Sequence, residues 1–441
     1  MLDATDLIAA VATPQGSGAV SIIRLSGPGL LAALDQILVM RGDLQKNPRS
    51  LLLGRVKGLS GQIVDEVLVV YFPAPNSFTG EDCAEIQGHA GFIAPRLVLE
   101  AILGAGARLA KPGEFSQRAF LNQRLSLDQA EAIAELVAAQ SQSEAILANR
   151  QLAGALGDRL RPIGQELTTL AATLTAILDF EEPWEKVDQA KMAEDIDHIQ
   201  QGLAHLLTLR REGRAFREGL KLVLAGPPNV GKSSLFNALL GQGRALVSPR
   251  PGTTRDYLEG AVDWSGIRVE LVDTAGLWSD STDEIDQLGQ ERSREQMERA
   301  DLIVWLRDLT NPNSPAAPIS ERPTLTVWAK ADLAPKIDPN ALALSAKTGQ
   351  GLSRLKEEAL KLLNVNYERP PELVPNFRHQ KALEETAKLV EAADRALKDG
   401  APPDIINLEI SQALNALGQI TGRVMTEDLL IEVFSHFCLG K

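Results

Sequence analysis

Gly226-Pro-Pro-Asn-Val-Gly231-Lys232-Ser233-Ser234 decides the reading of this chain, because it meets the phosphate-binding pattern G-x-x-x-x-G-K-[ST] at every fixed position. The apolar run Leu220-Lys-Leu-Val-Leu-Ala225 before it has strand character, and Ser234-Leu-Phe-Asn-Ala-Leu-Leu240 after it reads as helix. The loop therefore lies where a strand turns into a helix N-terminus. Glycines at 226 and 231 let the backbone curl around an anion. The N–H groups from Asn229 through Val230, Gly231, Lys232, Ser233 and Ser234, with the helix dipole, can cradle phosphate oxygens. Lys232 adds a point charge, and Ser233 offers a hydroxyl to Mg²⁺.

The motifs downstream of this loop come in the order of a GTPase. In Gly252-Thr-Thr-Arg-Asp256, Thr253 or Thr254 can complete a Mg²⁺ shell. Val262-Asp-Trp-Ser-Gly-Ile-Arg-Val-Glu-Leu-Val272 reads as a hairpin running into Asp273-Thr274-Ala275-Gly276. There Asp273 can hold a metal-bound water and the Gly276 N–H can meet a γ-phosphate, so both loops would sense that phosphate. Thr324-Leu-Thr-Val-Trp-Ala329 reads as a strand ending in Ala329-Lys330-Ala331-Asp332, a near match to the guanine-reading N-K-x-D. Ser345-Ala346-Lys347 comes next as the loop that closes over the base. Each match is short, but their order and spacing resemble the translation-factor-like GTPases.

Composition sets the frame. With 441 residues the chain predicts about three domains. Its 45 Lys+Arg against 58 Asp+Glu, net −13, argue against coating a polyanion non-specifically, without excluding a local basic patch. Cys83 and Cys438 form no metal spacing or disulfide framework, which suits a reducing compartment. No apolar run reaches membrane-spanning length and the N-terminus has no secretory pattern, so a cytoplasmic location is expected.

Along the chain, residues 1 to 120 read as a β-rich α/β domain, with strands at Ala19–Leu25 and Glu66–Phe72, a turn-rich loop at Pro73–Gly80 and a helix over Ala94–Leu103. From Ser126 to about Leu209 the pattern is helical. Ser126 and Gln129 suit a capping box, and Leu127, Ala130, Ala134 and Val137 form one apolar face. Ile196, Ile199, Leu203 and Leu206 repeat that stripe, and Pro183 interrupts the run. After Pro370-Pro371 helical spacing returns at Ile406, Ile410, Leu414 and Leu417. The expected fold class is multidomain α/β and α: an N-terminal α/β domain (1–120), a discontinuous all-α domain (121–216 and 372–441), and a P-loop, Ras-like GTPase domain inserted at 217–371.

With the flanks in view, the whole chain resembles the tRNA-uridine modification GTPases of the MnmE (TrmE) family. The resemblance is carried by Ala12-Thr-Pro-Gln-Gly-Ser-Gly-Ala-Val, Pro75-Asn-Ser-Phe-Thr-Gly-Glu-Asp82, Glu85-Ile-Gln-Gly-His89, Lys111-Pro-Gly-Glu-Phe-Ser-Gln-Arg-Ala-Phe-Leu-Asn122, Asp128-Gln-Ala-Glu-Ala132 and Cys438-Leu-Gly-Lys441. It implies an N-terminal domain that binds 5-formyltetrahydrofolate or a related reduced folate through Arg24, Glu85, Arg124 and Lys441. It also implies a homodimer, a flavin-dependent partner (MnmG, or GidA) and modification of a tRNA wobble uridine at ring carbon five. Cys438, close to His436, acquires a role by the same resemblance, and His89 reads as a structural loop histidine. Taken alone, Arg24 and Glu85 read as structural residues rather than ligands, Arg24 as an ordinary strand-end salt bridge.

The resemblance further implies K⁺ rather than an arginine finger, held by Asn229, Ser248, Arg250 and Thr253, with Mg²⁺ on Ser233 and Thr254. The chain departs from the family at three places. Prolines flank Arg250 in Ser248-Pro-Arg-Pro-Gly252, which leaves every carbonyl available. Asp286 aligns with the water-orienting glutamate, with Glu284 as competitor, and Ala329 stands where N-K-x-D has asparagine. The alternative class is a ribosome-assembly or regulatory switch of the Era or EngA kind, which accounts for 217–370 but leaves the first 120 residues without a purpose.

Overall fold

The computed structural model describes residues 6–180, 184, 187–242, 245–246, 258–273, 294–311, 313–333, 338, 340–367, 370–435, 437 and 440. The first half of the chain runs β1 (Ile8–Val11), β2 (Val20–Ser26), α1 (Leu30–Ile37), β3 (Leu38–Met40), β4 (Leu52–Lys57), β5 (Ile63–Phe72), β6 (Cys83–His89), α2 (Ala94–Gly104), β7 (Arg108–Leu109) and α3 (Glu114–Leu121). Helices α4 (Leu127–Ala138), α5 (Gln142–Leu152), α6 (Ala155–Asp179) and α7 (Gln189–Glu218) come after them. The second half runs β8 (Leu220–Ala225), α8 (Lys232–Gln242), β9 (Ala245–Leu246), β10 (Leu258–Trp264), β11 (Ile267–Asp273), β12 (Leu302–Asp308) and β13 (Thr324–Ala329). It closes with α9 (Leu352–Leu362), α10 (Phe377–Lys398), α11 (Pro403–Thr421) and α12 (Glu427–Ser435).

Packing divides the chain into two units, Met1–Ala134 with Leu152–Gly157 and Leu414–Lys441, and Glu135–Gln151 with Asp158–Ala413. In the first unit, seven strands lie in the order β3-β4-β5-β6-β2-β1-β7. All neighbours are antiparallel except β1 and β7. Period-two alternation gives the sheet two unlike faces. Ile23, Leu25, Val56, Val67, Val69 and Ile86 point to a core shared with Leu34, Val98 and Ile102 of α1 and α2. The other face carries Leu53, Leu68, Glu85 and Arg24. Gly113, at φ +71, starts α3, and a Cβ there would lie 2.9 Å from the Phe434 carbonyl. Phe434 and Phe437 pack with Phe120, Leu127 and Ala130, so residues after 414 complete this unit.

The second unit holds a six-stranded sheet, order β13-β12-β8-β11-β10-β9, in which β13, β12, β8 and β11 are parallel. β8 and β12 are nearly continuous buried runs, as a parallel strand covered on both faces requires. Ser265 (φ +56) and Gly266 (φ +88) make the two-residue turn between β10 and β11. Ile196, Ile199, Leu203 and Leu206 of α7 are all buried. α10 packs along α7, with Arg210 Nε donating to Gln380 Oε1 at 3.1 Å. The α4 stripe needs an amendment: Leu127 and Ala130 are buried, but Ala134 is only half-buried, Ile133 is buried instead, and Val137, one residue before the helix ends, is 51% exposed.

Candidate functional site

The phosphate loop leaves the carboxyl end of β8, which lies between β11 and β12; that is the switch point where an open α/β sheet binds its ligand. Gly226 has φ +144, and a Cβ would sit 2.6 Å from the Leu306 carbonyl, so the loop can pass β12 only without a side chain. Asn229 (φ +57) and Gly231 (φ +107) supply the left-handed turns. Val230 is buried against the sheet core, Ser233 is half-buried and Ser234 exposed. Lys232, 5% exposed, donates from Nζ to the Gly226 and Pro227 carbonyls, each at 2.9 Å. Burial pulls its pKa down, opposed by the nearby Asp273 carboxylate. Asp273 is itself buried at the end of β11. A lysine held by its own loop, beside turns that expose N–H groups, is a cradle fitted to an anion.

On the base side, Ala329 ends β13, buried, and Lys330 comes next at φ +65. Asp332 is exposed on a single 3₁₀ turn, Ala331–Leu333. The third stretch comes alongside through backbone bonds, Ala331 N to Leu344 O at 3.0 Å and Leu344 N to Trp328 O at 2.8 Å. Ser345 is buried there, with Ala346 half-buried and Lys347 exposed. Asp308, which the sequence reading did not single out, bonds Lys330. Its only signal in the sequence is its place at the end of an apolar strand. Ser248, Arg250, Thr253, Thr254, Thr274, Ala275, Gly276, Glu284 and Asp286 lie outside the described residues, as do Pro183, His436, Cys438 and Lys441.

In the first unit, Arg24 of β2 and Glu85 of β6 are cross-strand neighbours. Arg24 donates from Nε and Nη2 to Glu85 Oε1 at 3.1 and 2.9 Å, and from Nη1 to the Gly440 carbonyl at 3.4 Å. Its guanidinium lies over the rings of Phe78 and Phe115, 5.4 and 5.8 Å from their centroids. The side chains of Arg24 and Glu85 are each 21% exposed. Exposed Arg124 stands beside Gly80 of the same loop as Phe78; a Cβ on Gly80 would meet Arg124 Cγ at 3.2 Å. Gly440, from the Cys438-Leu-Gly-Lys441 stretch, lies against β1, where a Cβ would come 2.9 Å from Ala12 Cα. His89 sits at the end of β6 rather than in a loop; its Nδ1 is 2.6 Å from Asp65 Oδ1, which raises its pKa.

A phosphate loop at the switch point of a mainly parallel sheet, succeeded in order by a buried aspartate at a strand end and a Lys-x-Asp turn, defines a P-loop GTPase. Comparison with known proteins gives the family. A model described as GTP-binding protein TrmE N-terminus matches residues 7–124, and one described as MnmE helical domain matches 127–438. The tRNA modification GTPases MnmE of Carboxydothermus hydrogenoformans and Chloroflexus aurantiacus are 38% and 40% identical, covering 99% of this chain and 99% and 100% of theirs. That of Synechococcus sp. RCC307 is 41% identical, over 99% of this chain and 98% of its own. The chain belongs to the MnmE family of tRNA modification GTPases.

Proposed function

We propose that this protein hydrolyses GTP to drive modification of the tRNA wobble uridine at carbon five, using a reduced folate such as 5-formyltetrahydrofolate and a flavin-dependent partner of the MnmG (GidA) kind. GTP with Mg²⁺ would engage Asn229 to Ser234, Thr254 and Asp273 to Gly276, with Lys330, Asp332 and Ser345 to Lys347 around the base. K⁺ held by Asn229, Ser248, Arg250 and Thr253 would neutralise charge on the transferring phosphoryl group, and Asp286 would orient water. The boundaries 1–120, 121–216, 217–371 and 372–441 are our proposed functional division, and the cytoplasm the proposed location. Among the described residues no helix is long and apolar enough to cross a membrane.

The observation that carries the folate part is the Arg24–Glu85 pair. It is partly open, its guanidinium lies over the rings of Phe78 and Phe115, and the Gly440 carbonyl touches it. Folate offers a flat pterin whose edge suits a carboxylate and glutamyl carboxylates that suit arginine. The same sheet face continues to Leu53 and Leu68, cross-strand neighbours 58% and 39% exposed, which supports a homodimer joined across this face. Calorimetry of full-length protein with 5-formyltetrahydrofolate tests the reading. Binding by the parent and its loss in Arg24→Ala and Glu85→Ala support it. GTP hydrolysis without folate binding would favour the assembly-switch class instead.

A further inference from the structure

Ala329 lacks the side chain with which N-K-x-D braces its neighbouring loops, yet the turn it begins is tightly held. β12 ends at Asp308, which the strand register sets opposite Ala329. Lys330 Nζ donates to Asp308 Oδ2 at 2.7 Å, while Oδ1 accepts from Thr310 N and Oγ1 at 2.9 and 2.6 Å. The carboxylate is thus fixed by its own loop before it meets the lysine. Burial alone would raise its pKa, but the bonds from Lys330 and Thr310 outweigh burial and hold it below the usual range. The two side chains are 32% and 18% exposed, so the pair is partly shielded from water and salt. Leu309 N donates to the Ala329 carbonyl at 3.1 Å and Ala331 N to Leu344 O at 3.0 Å, so the backbone carries the rest of the brace.

We propose that Asp308 is a positioning residue for guanine-nucleotide binding: it anchors Lys330 in place of the missing asparagine brace, so that the lysine methylenes form one wall of the base site. The inference rests on the GTPase reading. An untethered lysine would have to be ordered by the nucleotide at an entropic cost; one already held at its head adds wall without that cost. Asp308 needs no contact with the base for this role. It acts through Lys330, whereas Asp332 reads the guanine edge.

Calorimetry of the full-length chain with GDP and IDP tests this, because IDP lacks the 2-amino group that an aspartate at 332 would read. Asp308→Ala should weaken both nucleotides by the same factor, about three- to tenfold, leaving their ratio unchanged. Asp332→Ala should instead shrink the ratio. Ala329→Asn should restore more affinity in the Asp308→Ala background than it adds to the parent, since the two braces substitute for each other. Asp308→Asn, nearly isosteric, gives the same readings if the alanine variant fails to fold. Parent-like GDP affinity in both Asp308 variants, or an equal Ala329→Asn gain in both backgrounds, overturns the proposal. A parent that binds no GDP would instead overturn the nucleotide reading.

Discussion

The Arg268 guanidinium donates from Nε to Glu144 Oε1 at 3.2 Å, and next to it Ser143 N donates to the Gly266 carbonyl at 3.3 Å. Helix α5 is thereby fastened to the β10–β11 hairpin, the segment joining the two loops expected to sense the γ-phosphate. Leu147 of the same helix belongs to the core that surrounds β8 and β11. Movement of the hairpin therefore has a direct mechanical outlet in α5.

This contact should be measurable as a coupling. With side chains only 28% and 13% exposed, water and salt screen the pair incompletely, so a Glu144→Ala and Arg268→Ala cycle should show about 0.5–1 kcal/mol of interaction energy in thermal unfolding. Strict additivity would mean that the pair is incidental.

The phosphate loop predicts two distinct failures. Gly226→Ala should destabilise the fold by about 1–3 kcal/mol and abolish nucleotide binding, because neither the backbone angle nor the Leu306 carbonyl leaves room for a methyl group. Lys232→Ala should lower GTP affinity at least about tenfold, with a much smaller change in melting temperature. Calorimetry and thermal melts of the two variants separate the effects.

A buried charge cluster should set the acid limit of the first unit. Arg118, 3% exposed, bonds Asp6 at 2.6 Å, Glu81 at 3.1 Å and Glu114 at 3.2 Å, and Arg108 adds a bond to Glu114 at 2.5 Å. Burial would raise the Glu114 pKa, yet the arginine bonds and the Lys111 N–H hold it below its ordinary 4.5. A depressed folded-state pKa contributes stability that is complete above the unfolded value and is lost as pH falls through the folded one. Denaturant midpoints should therefore drop below about pH 4.5. Glu114→Ala should cost about 3–5 kcal/mol at pH 7 and flatten that slope.

Potassium gives a kinetic check. If Asn229 helps to hold the ion, GTP turnover should be faster in K⁺ than in Na⁺ at equal ionic strength, and Asn229→Ala should erase the difference while leaving GDP affinity within about twofold. Equal rates in both salts for the parent would remove K⁺ from the mechanism.

The GTPase sheet could be read in advance because its signals are local. Parallel buried strands are apolar runs, the hairpin turn is a Ser-Gly pair, and the phosphate loop is a contiguous motif. The Ser126–Gln129 box is half formed: Ser126 N donates to Gln129 Oε1 at 3.0 Å, while the serine hydroxyl turns to Asp128 at 2.6 Å. Asp308 escaped notice because its partner lies 22 positions away and is reached only through strand register. Phe115 beneath Arg24 was hidden for the same reason. It looks like an ordinary apolar helix residue until the fold brings Arg24 of β2 over its ring.

The closure of the first unit by residues beyond 414 makes its assembly depend on the order of synthesis. When the strands of the first sheet have left the ribosome, Phe120 and Leu127 still lack Phe434 and Phe437, and the whole second unit must be made before those rings exist. A chain interrupted within the second unit would carry that apolar seam uncovered, a mark that chaperones and proteases can read. Completion of the Arg24 site, through the Gly440 carbonyl, would then report that synthesis has passed beyond the second unit.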